Sequence, residues 1–127
     1  MKYGDNDTLS SLGCDPSDLW AMVVHGWKDG PSTSSWIPAL TVNLNKYRGG
    51  CVIVVDFFYY SSNTDYFVLV KNFPGVSAVL LKKVNQILGE GFTADNGYMF
   101  GFSYGAHLVY SVGKNLNGAV AKIDGNL

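Results

Sequence analysis

The chain has 127 residues, enough for one compact domain and too few for two, so we expect residues 1–127 to form a single domain. Its composition is 47% hydrophobic, 14% aromatic and 15% charged, which is typical of a folded globular protein and argues against disorder. Nine basic residues against ten acidic ones give a formal net charge of −1. Because the basic residues are also scattered, we expect no nucleic-acid partner.

The N-terminal residues and the two cysteines say little about location. Residues 1–10, MKYGDNDTLS, lack the apolar run of a secretory signal, and no later stretch reaches the roughly 18 apolar residues of a membrane span. We therefore expect neither a signal nor a transmembrane segment in this sequence. Cys14 and Cys51 have no metal-ligand spacing and form no CxxC pair, so they could be one disulfide or two free thiols. No cofactor and no metal are expected.

Apolar runs and amphipathic stretches alternate along the first half of the chain, which is the pattern of strands and helices in an α/β layer structure. Residues 19–25 are almost continuously apolar before a glycine and predict a strand buried on both faces, followed by a loop over 26–34. Ser34 or Ser35 can cap a helix that runs to Tyr47. Residues 51–58, CVIVVDFF, are the clearest strand because most of them are β-branched or aromatic.

The second half continues the alternation. Residues 74–88 predict a surface helix packed on the sheet, residues 96–102 a third strand and residues 106–116 another helix, before the short run 119–123. The first of these helices is indicated by apolar residues at helical spacing, namely Val76, Val79, Leu80, Val84, Ile87 and Leu88. The fold class that follows is α/β, with a mostly parallel sheet and flanking helices.

The sequence Gly101-Phe102-Ser103-Tyr104-Gly105 fits GxSxG and lies between a predicted strand and a predicted helix, the context that this motif requires. In such a turn the serine takes strained backbone angles, the glycines allow close backbone approach, and the serine hydroxyl stands above the sheet as a nucleophile. The alternative is a chance match, since the chain has 15 glycines.

A second element favours the chemical interpretation. His25-Gly26-Trp27 ends the first predicted strand, where hydrolases of this kind place the loop that supplies an oxyanion donor. Two linked motifs in the right order are much harder to obtain by accident than one.

Together these residues resemble the animal lipases of the pancreatic lipase type, which include insect lipases and venom phospholipases A1. The resemblance covers most of the chain and rests on VVHGW, VIVVDF, the helix over 74–88 and DNGYMFGFSYGAHLVYSVGKNL. It implies a partial α/β-hydrolase fold with a nucleophile elbow, in which Ser103 is the nucleophile and the backbone N–H groups of Trp27 and Tyr104 form the oxyanion hole. It also implies a lipid ester as substrate, transient contact with a lipid interface, and secretion, which a Cys14–Cys51 disulfide would suit.

The sequence departs from this family after the serine. In α/β-hydrolases the triad acid and histidine follow the serine in chain order, and only 24 residues follow Ser103 here. The family's I-x-G-L-D segment matches Ile123-x-Gly125, which puts Leu127 at the position of the acid and Asp124 three places early. We therefore expect the chain to be an incomplete, truncated portion of a lipase-type domain.

Two histidines and one further carboxylate have alternative interpretations. His25 is expected to hydrogen-bond to backbone rather than act as general base, and His107 to pack near the helix start rather than join a triad. Asp56 is expected to make a structural hydrogen bond rather than serve as a displaced acid. The aromatic residues 57–60 either belong to the core or line an acyl pocket at the sheet edge.

Three functions remain open at this point. The favoured one is a carboxylic ester hydrolase, either a triacylglycerol lipase or a phospholipase A1. The second is a catalytically inactive lipase-like protein that binds or stores lipid, which the absent triad base favours and the retained GxSxG disfavours. The third, a plain α/β binding module with an incidental serine, is disfavoured because two oxyanion elements coincide.

Overall fold

The computed structural model describes residues 8–26, 35–57 and 66–126. In these ranges strands alternate with helical segments as the sequence predicts, except that two helices follow the second strand, and a short 3₁₀ helix precedes the third strand. The strands are β1 Trp20–Val24, β2 Cys51–Val55, β3 Gly97–Phe102 and β4 Lys122–Asn126. The helices are α1 Trp36–Tyr47, α2 Tyr66–Lys71, α3 Phe73–Gly89 and α4 Tyr104–Asn115.

The four strands form one sheet in the order β2-β1-β3-β4, and all three neighbouring pairs are parallel. Trp20 of β1 is in register with Cys51 of β2 and Gly97 of β3, and Tyr98 is in register with Lys122 of β4. Because the strands are parallel, their carboxyl ends meet at one edge of the sheet. This arrangement confirms the predicted α/β class, and it brings the ends of β1 and β3, which carry the two motifs, side by side.

The sheet lies between helices. On one face Trp36, the first residue of α1, packs against Phe100 and Phe102. Side chains alternate across a strand, so Gly101 points to the opposite face, where it lies against the backbone of α4 at Gly105. Every residue of β1 is fully buried, as the apolar run at this position predicts for a central strand covered on both faces.

Helix α3 shows how local sequence sets the packing of this layer. Pro74 stands in its first turn, where the missing N–H matters least. Its buried residues recur at helical spacing and form the inward face, which packs on α4: Ser77, Leu80, Val84 and Ile87. The helix predicted over 74–88 is therefore confirmed to within one residue at each end.

Several boundaries differ from the sequence prediction. Helix α2 was not predicted, β2 ends at Val55 instead of reaching residue 58, and α4 begins at Tyr104, two residues earlier than expected. The short apolar run over 119–123 only overlaps β4, which continues to Asn126 because it pairs with β3. Residue 58 lies outside the described residues.

A disulfide and a hydrogen bond join the N-terminal segment to the sheet and to the end of α3. Cys14 and Cys51 form a disulfide that joins this segment to the first residue of β2. The Leu9 N–H also donates to Glu90 Oε1 at 2.7 Å. The structure therefore resolves the question of the two cysteines in favour of a pair. In the ranges described, we find no helix with both the length and the apolar character needed to cross a membrane.

Candidate active site

Ser103 lies in a strained turn between β3 and α4. Its backbone angles are φ 55° and ψ −115°, and its side chain makes no capping hydrogen bond to the helix that follows. A positive φ at a non-glycine residue costs on the order of 1–3 kcal/mol and persists only where the surroundings enforce it. Here the Ser103 N–H donates to the Asn126 carbonyl at 2.6 Å, and the Ser103 carbonyl accepts the Ala106 N–H at 2.9 Å. The strained backbone that the GxSxG motif predicts is therefore present.

The two glycines of the motif are required by close backbone packing. A Cβ on Gly101 would overlap the backbone of Gly105, and a Cβ on Gly105 would overlap the carbonyl groups of Val24 and His25 at the end of β1. Neither glycine has a positive φ, so the requirement at both positions is space. The turn therefore lies in close contact with Val24 and His25, the two residues that precede Gly26.

Tyr104, the residue after the serine, begins α4, so its N–H belongs to the first turn, where a helix supplies no acceptor of its own. Its side chain is only 2% exposed. The hydroxyl donates to the Leu69 carbonyl at 2.9 Å, and the ring contacts Phe57 and Phe73. Trp27, the other predicted oxyanion donor, lies outside the described residues.

His25 is fully buried and faces backbone groups with both ring nitrogens. The Phe57 N–H donates to His25 Nε2 at 3.2 Å, and since an amide N–H can only donate, Nε2 is unprotonated. Nδ1 then carries the proton and donates to the Gly26 carbonyl at 3.1 Å. The imidazole is also stacked on the Phe57 ring, with 4.1 Å between centroids. These contacts are those of a neutral histidine that connects Gly26, which follows β1, to Phe57, which follows β2.

His107 lies one turn after Ser103 on α4 and is exposed. With Val70, Phe73 and Tyr104 it lines a mostly apolar pocket of about 290 Å³ beside the elbow. The structure thus places His107 in the first turn of α4, at the rim of this pocket.

Asp124 is held on the α1 side of the sheet. Its backbone is in register with Phe100, and its carboxylate accepts the Tyr98 hydroxyl at 2.8 Å and lies 3.7 Å from Lys122 Nζ. Partial burial, with the bond to Asp124, raises the pKa of Tyr98 to about 12. The Arg48 guanidinium lies over the Tyr98 ring and donates to two backbone carbonyls. Asp124 therefore joins a structural cluster between β3 and β4.

Asp56 and Phe57 follow β2 at the carboxyl edge. The Asp56 side chain is 61% exposed, and its Oδ1 lies 3.9 Å from His25 Nε2. Phe57 is buried between the rings of His25 and Tyr104, so this member of the aromatic run belongs to the core. The other three, residues 58–60, lie outside the described residues. Within the described ranges no three histidine, cysteine or acidic side chains come together as metal ligands.

Sequence reasoning identified the positions at the elbow but missed two arrangements around it. One is the contact of the Tyr104 hydroxyl with α2, a helix that was not predicted. The other is the cluster of Arg48, Tyr98 and Asp124, which joins residues far apart in the chain. A signal for the first was available in the tyrosine itself, because a tyrosine hydroxyl needs a hydrogen-bond partner when it is buried.

A parallel sheet flanked by helices, with a GxSxG turn at its carboxyl edge, defines the class of α/β-hydrolase folds. The family model described as Lipase matches residues 1–126, and the chain belongs to this family. It is 31% identical over 103 residues to lipase member H-A of Xenopus laevis, a match covering 81% of this chain and 22% of that protein. It is 30% identical over 104 residues to human phospholipase A1 member A, covering 82% of this chain and 23% of that protein. The chain thus spans less than a quarter of the length of either relative.

Proposed function

We propose that this protein acts as a carboxylic ester hydrolase of the lipase type, a triacylglycerol lipase or a phospholipase A1. In this proposal Ser103 is the nucleophile, and the backbone N–H groups of Trp27 and Tyr104 are the oxyanion donors. The observation that carries it is the strained backbone of Ser103 at the end of β3, held in a GxSxG turn whose glycines admit no Cβ. Membership of the lipase family supports the same chemistry.

The chemistry follows from this placement. Ser103 Oγ attacks the ester carbonyl carbon while its proton passes to a general base, and the carbonyl oxygen becomes an oxyanion held by the two N–H groups. The C–O bond to the alcohol then breaks, the leaving alkoxide takes up the proton, and water hydrolyses the acyl-enzyme. Removal of one oxyanion donor typically lowers the rate about 10²- to 10³-fold. The proposal assigns neither role to His25, because triad acids and histidines follow the serine in this fold. It also leaves out Asp124, whose carboxylate accepts the Tyr98 hydroxyl, and His107, which lies one turn after Ser103 on α4.

The surroundings of the elbow suit an apolar substrate. The pocket beside Tyr104 is lined mainly by apolar groups. Helix α2, which contributes Val70 to that pocket, also leaves Phe67 82% exposed and Val68 38% exposed. We assign this side of the molecule to the acyl part of a lipid ester or to transient contact with a lipid interface. The Cys14–Cys51 disulfide suits an oxidising compartment, which supports secretion as part of the proposal.

A fluorophosphonate probe tests the nucleophile. The purified natural protein should gain one phosphonyl group, found by mass spectrometry on the peptide that contains Ser103. The Ser103→Ala variant should not react. Ser111→Ala is the matched control, because Ser111 lies two turns further along α4, where its hydroxyl is hydrogen-bonded to that of Ser77. This control should react as the unmodified protein does. Labelling at another serine, or none in a folded natural protein, would contradict the proposal.

A second candidate function is an inactive lipase-like protein that binds or stores lipid. It is favoured by the surroundings of Ser103, because no histidine or carboxylate among the described residues forms a hydrogen bond with its hydroxyl. Under this alternative the folded natural protein takes up a fluorescent fatty-acid ester from solution but neither hydrolyses it nor reacts with the probe.

A further inference from the structure

The hydroxyl of Tyr104 reaches across to the break between α2 and α3. Helix α2 ends at Lys71 and α3 begins at Phe73, and the last carbonyl groups of a helix have no partner within it. The Asn72 N–H donates to the Val68 carbonyl at 3.0 Å, and the Tyr104 hydroxyl donates to the Leu69 carbonyl at 2.9 Å. Leu69 is fully buried, so the folded protein would be destabilised if its carbonyl had no hydrogen-bond partner. The hydrogen bond from the Tyr104 hydroxyl therefore stabilises the end of α2.

The ring of Tyr104 is fixed as well as its hydroxyl. Its centroid lies 5.9 Å from that of Phe57, which follows β2, and 5.5 Å from that of Phe73, the first residue of α3, in an edge-to-face arrangement. Phe57 in turn stacks on His25, the residue after β1. Residue 104 is thus held by three separate elements in addition to its own helix.

We propose that Tyr104 is a positioning residue, whose side chain fixes the direction of its own backbone N–H by anchoring the start of α4 to Leu69. This inference rests on the proposed function, in which that N–H is an oxyanion donor. An oxyanion donor is effective only when it is aimed in advance at the charge that develops. A small displacement of such a group, about 1 Å, can lower the rate by about 10²-fold.

The test is Tyr104→Phe, which removes the hydroxyl and retains the ring. Tyr98→Phe is the matched control, because it also removes a tyrosine hydroxyl that donates a 2.8 Å hydrogen bond, on the other face of the sheet. With a water-soluble ester, Tyr104→Phe should lower kcat about 10-fold and leave KM within about twofold, since the acyl contacts remain. The rate of fluorophosphonate labelling should fall by the same factor. Tyr98→Phe should change neither rate, although both variants lose some thermal stability.

Amide hydrogen exchange provides a readout that does not depend on turnover. Tyr104→Phe should accelerate exchange in peptides covering residues 66–72 and 103–108, while Tyr98→Phe should leave both peptides unchanged. Equal activity in Tyr104→Phe and the natural protein would overturn the positioning role even if Ser103 is the nucleophile. Unchanged exchange in both peptides would overturn the anchor itself. An unreactive but folded natural protein would instead refute the proposed function, and the catalytic part of this inference with it.

Discussion

Reduction of the Cys14–Cys51 disulfide should weaken the fold by a predictable amount. The bridge closes a loop with a sequence separation of 37 residues. The loop-entropy relation gives about 4 kcal/mol for a loop of this size at 25 °C, because the cross-link restricts the unfolded chain. Small proteins are stable by only about 5–15 kcal/mol, so the loss is a large part of the total. We therefore expect the reduced protein to unfold at a clearly lower urea concentration.

The position of the disulfide also predicts which part of the fold opens first after reduction. Cys51 is the first residue of β2, which is one of the two edge strands of the described sheet. Cys14 belongs to the N-terminal segment that Glu90 also holds through the Leu9 N–H. Breaking the bridge leaves that segment attached by polar contacts and by the packing of Leu9. Local opening should therefore begin at β2 and the N-terminal segment, before the central strand β1.

The assay is urea unfolding followed by tryptophan fluorescence, with and without a phosphine reductant. The matched control is the Cys14→Ala/Cys51→Ala variant, which should resemble the reduced protein and show no response to the reductant. Thiol titration of the denatured, unreduced protein should find no free thiol. Two free thiols in that titration, or an unchanged urea midpoint after complete reduction, would refute the reasoning.

Two further predictions concern packing and ionisation. Gly105→Ala should lower the free energy of unfolding by about 1–3 kcal/mol, because its Cβ would overlap carbonyl groups at the end of β1. Gly113→Ala should lower it by less, because its Cβ would meet only the terminal methyl group of a side chain on β4, which can move. Equal urea midpoints for the two variants would contradict this packing. The pKa of Tyr98 is raised to about 12 in the folded protein, so its contribution to stability is complete below its unfolded pKa of about 10 and is lost as the pH rises through 12. Ultraviolet titration of tyrosinate should show a late transition that Tyr98→Phe lacks, and a variant with an identical titration curve would disprove the assignment.

The central strands and the longer helices could be predicted because their apolar patterns are dictated by burial. β1 is apolar throughout since both of its faces are covered, and α3 repeats its buried residues every three or four positions. α2 could not be predicted in the same way. Its sequence, YFVLVK, has the β-branched and aromatic content of a strand. In the fold it is a short helix directly before α3, with Leu69 fully buried.

The strand β4 could not be predicted from the sequence for a different reason. Its sequence, KIDGN, contains one apolar side chain and a glycine, so neither periodicity nor propensity indicates a strand. It is a strand because the edge of β3 offers unpaired backbone groups, which residues Lys122–Asn126 satisfy in parallel register. The order of the strands was likewise beyond sequence patterns, since it depends on contacts between residues distant in the chain.

At the candidate site, the backbone geometry of Ser103 was predictable because the motif specifies a conformation, but the role of His25 needed coordinates. The sequence allowed either a base or a backbone partner at this position. In the structure the Nε2 lone pair accepts the Phe57 N–H, so a proton taken up there would break that bond and leave a buried amide without its acceptor. The same event would place a positive charge on a fully buried ring. His25 is therefore suited to hold Gly26 against the residues that follow β2.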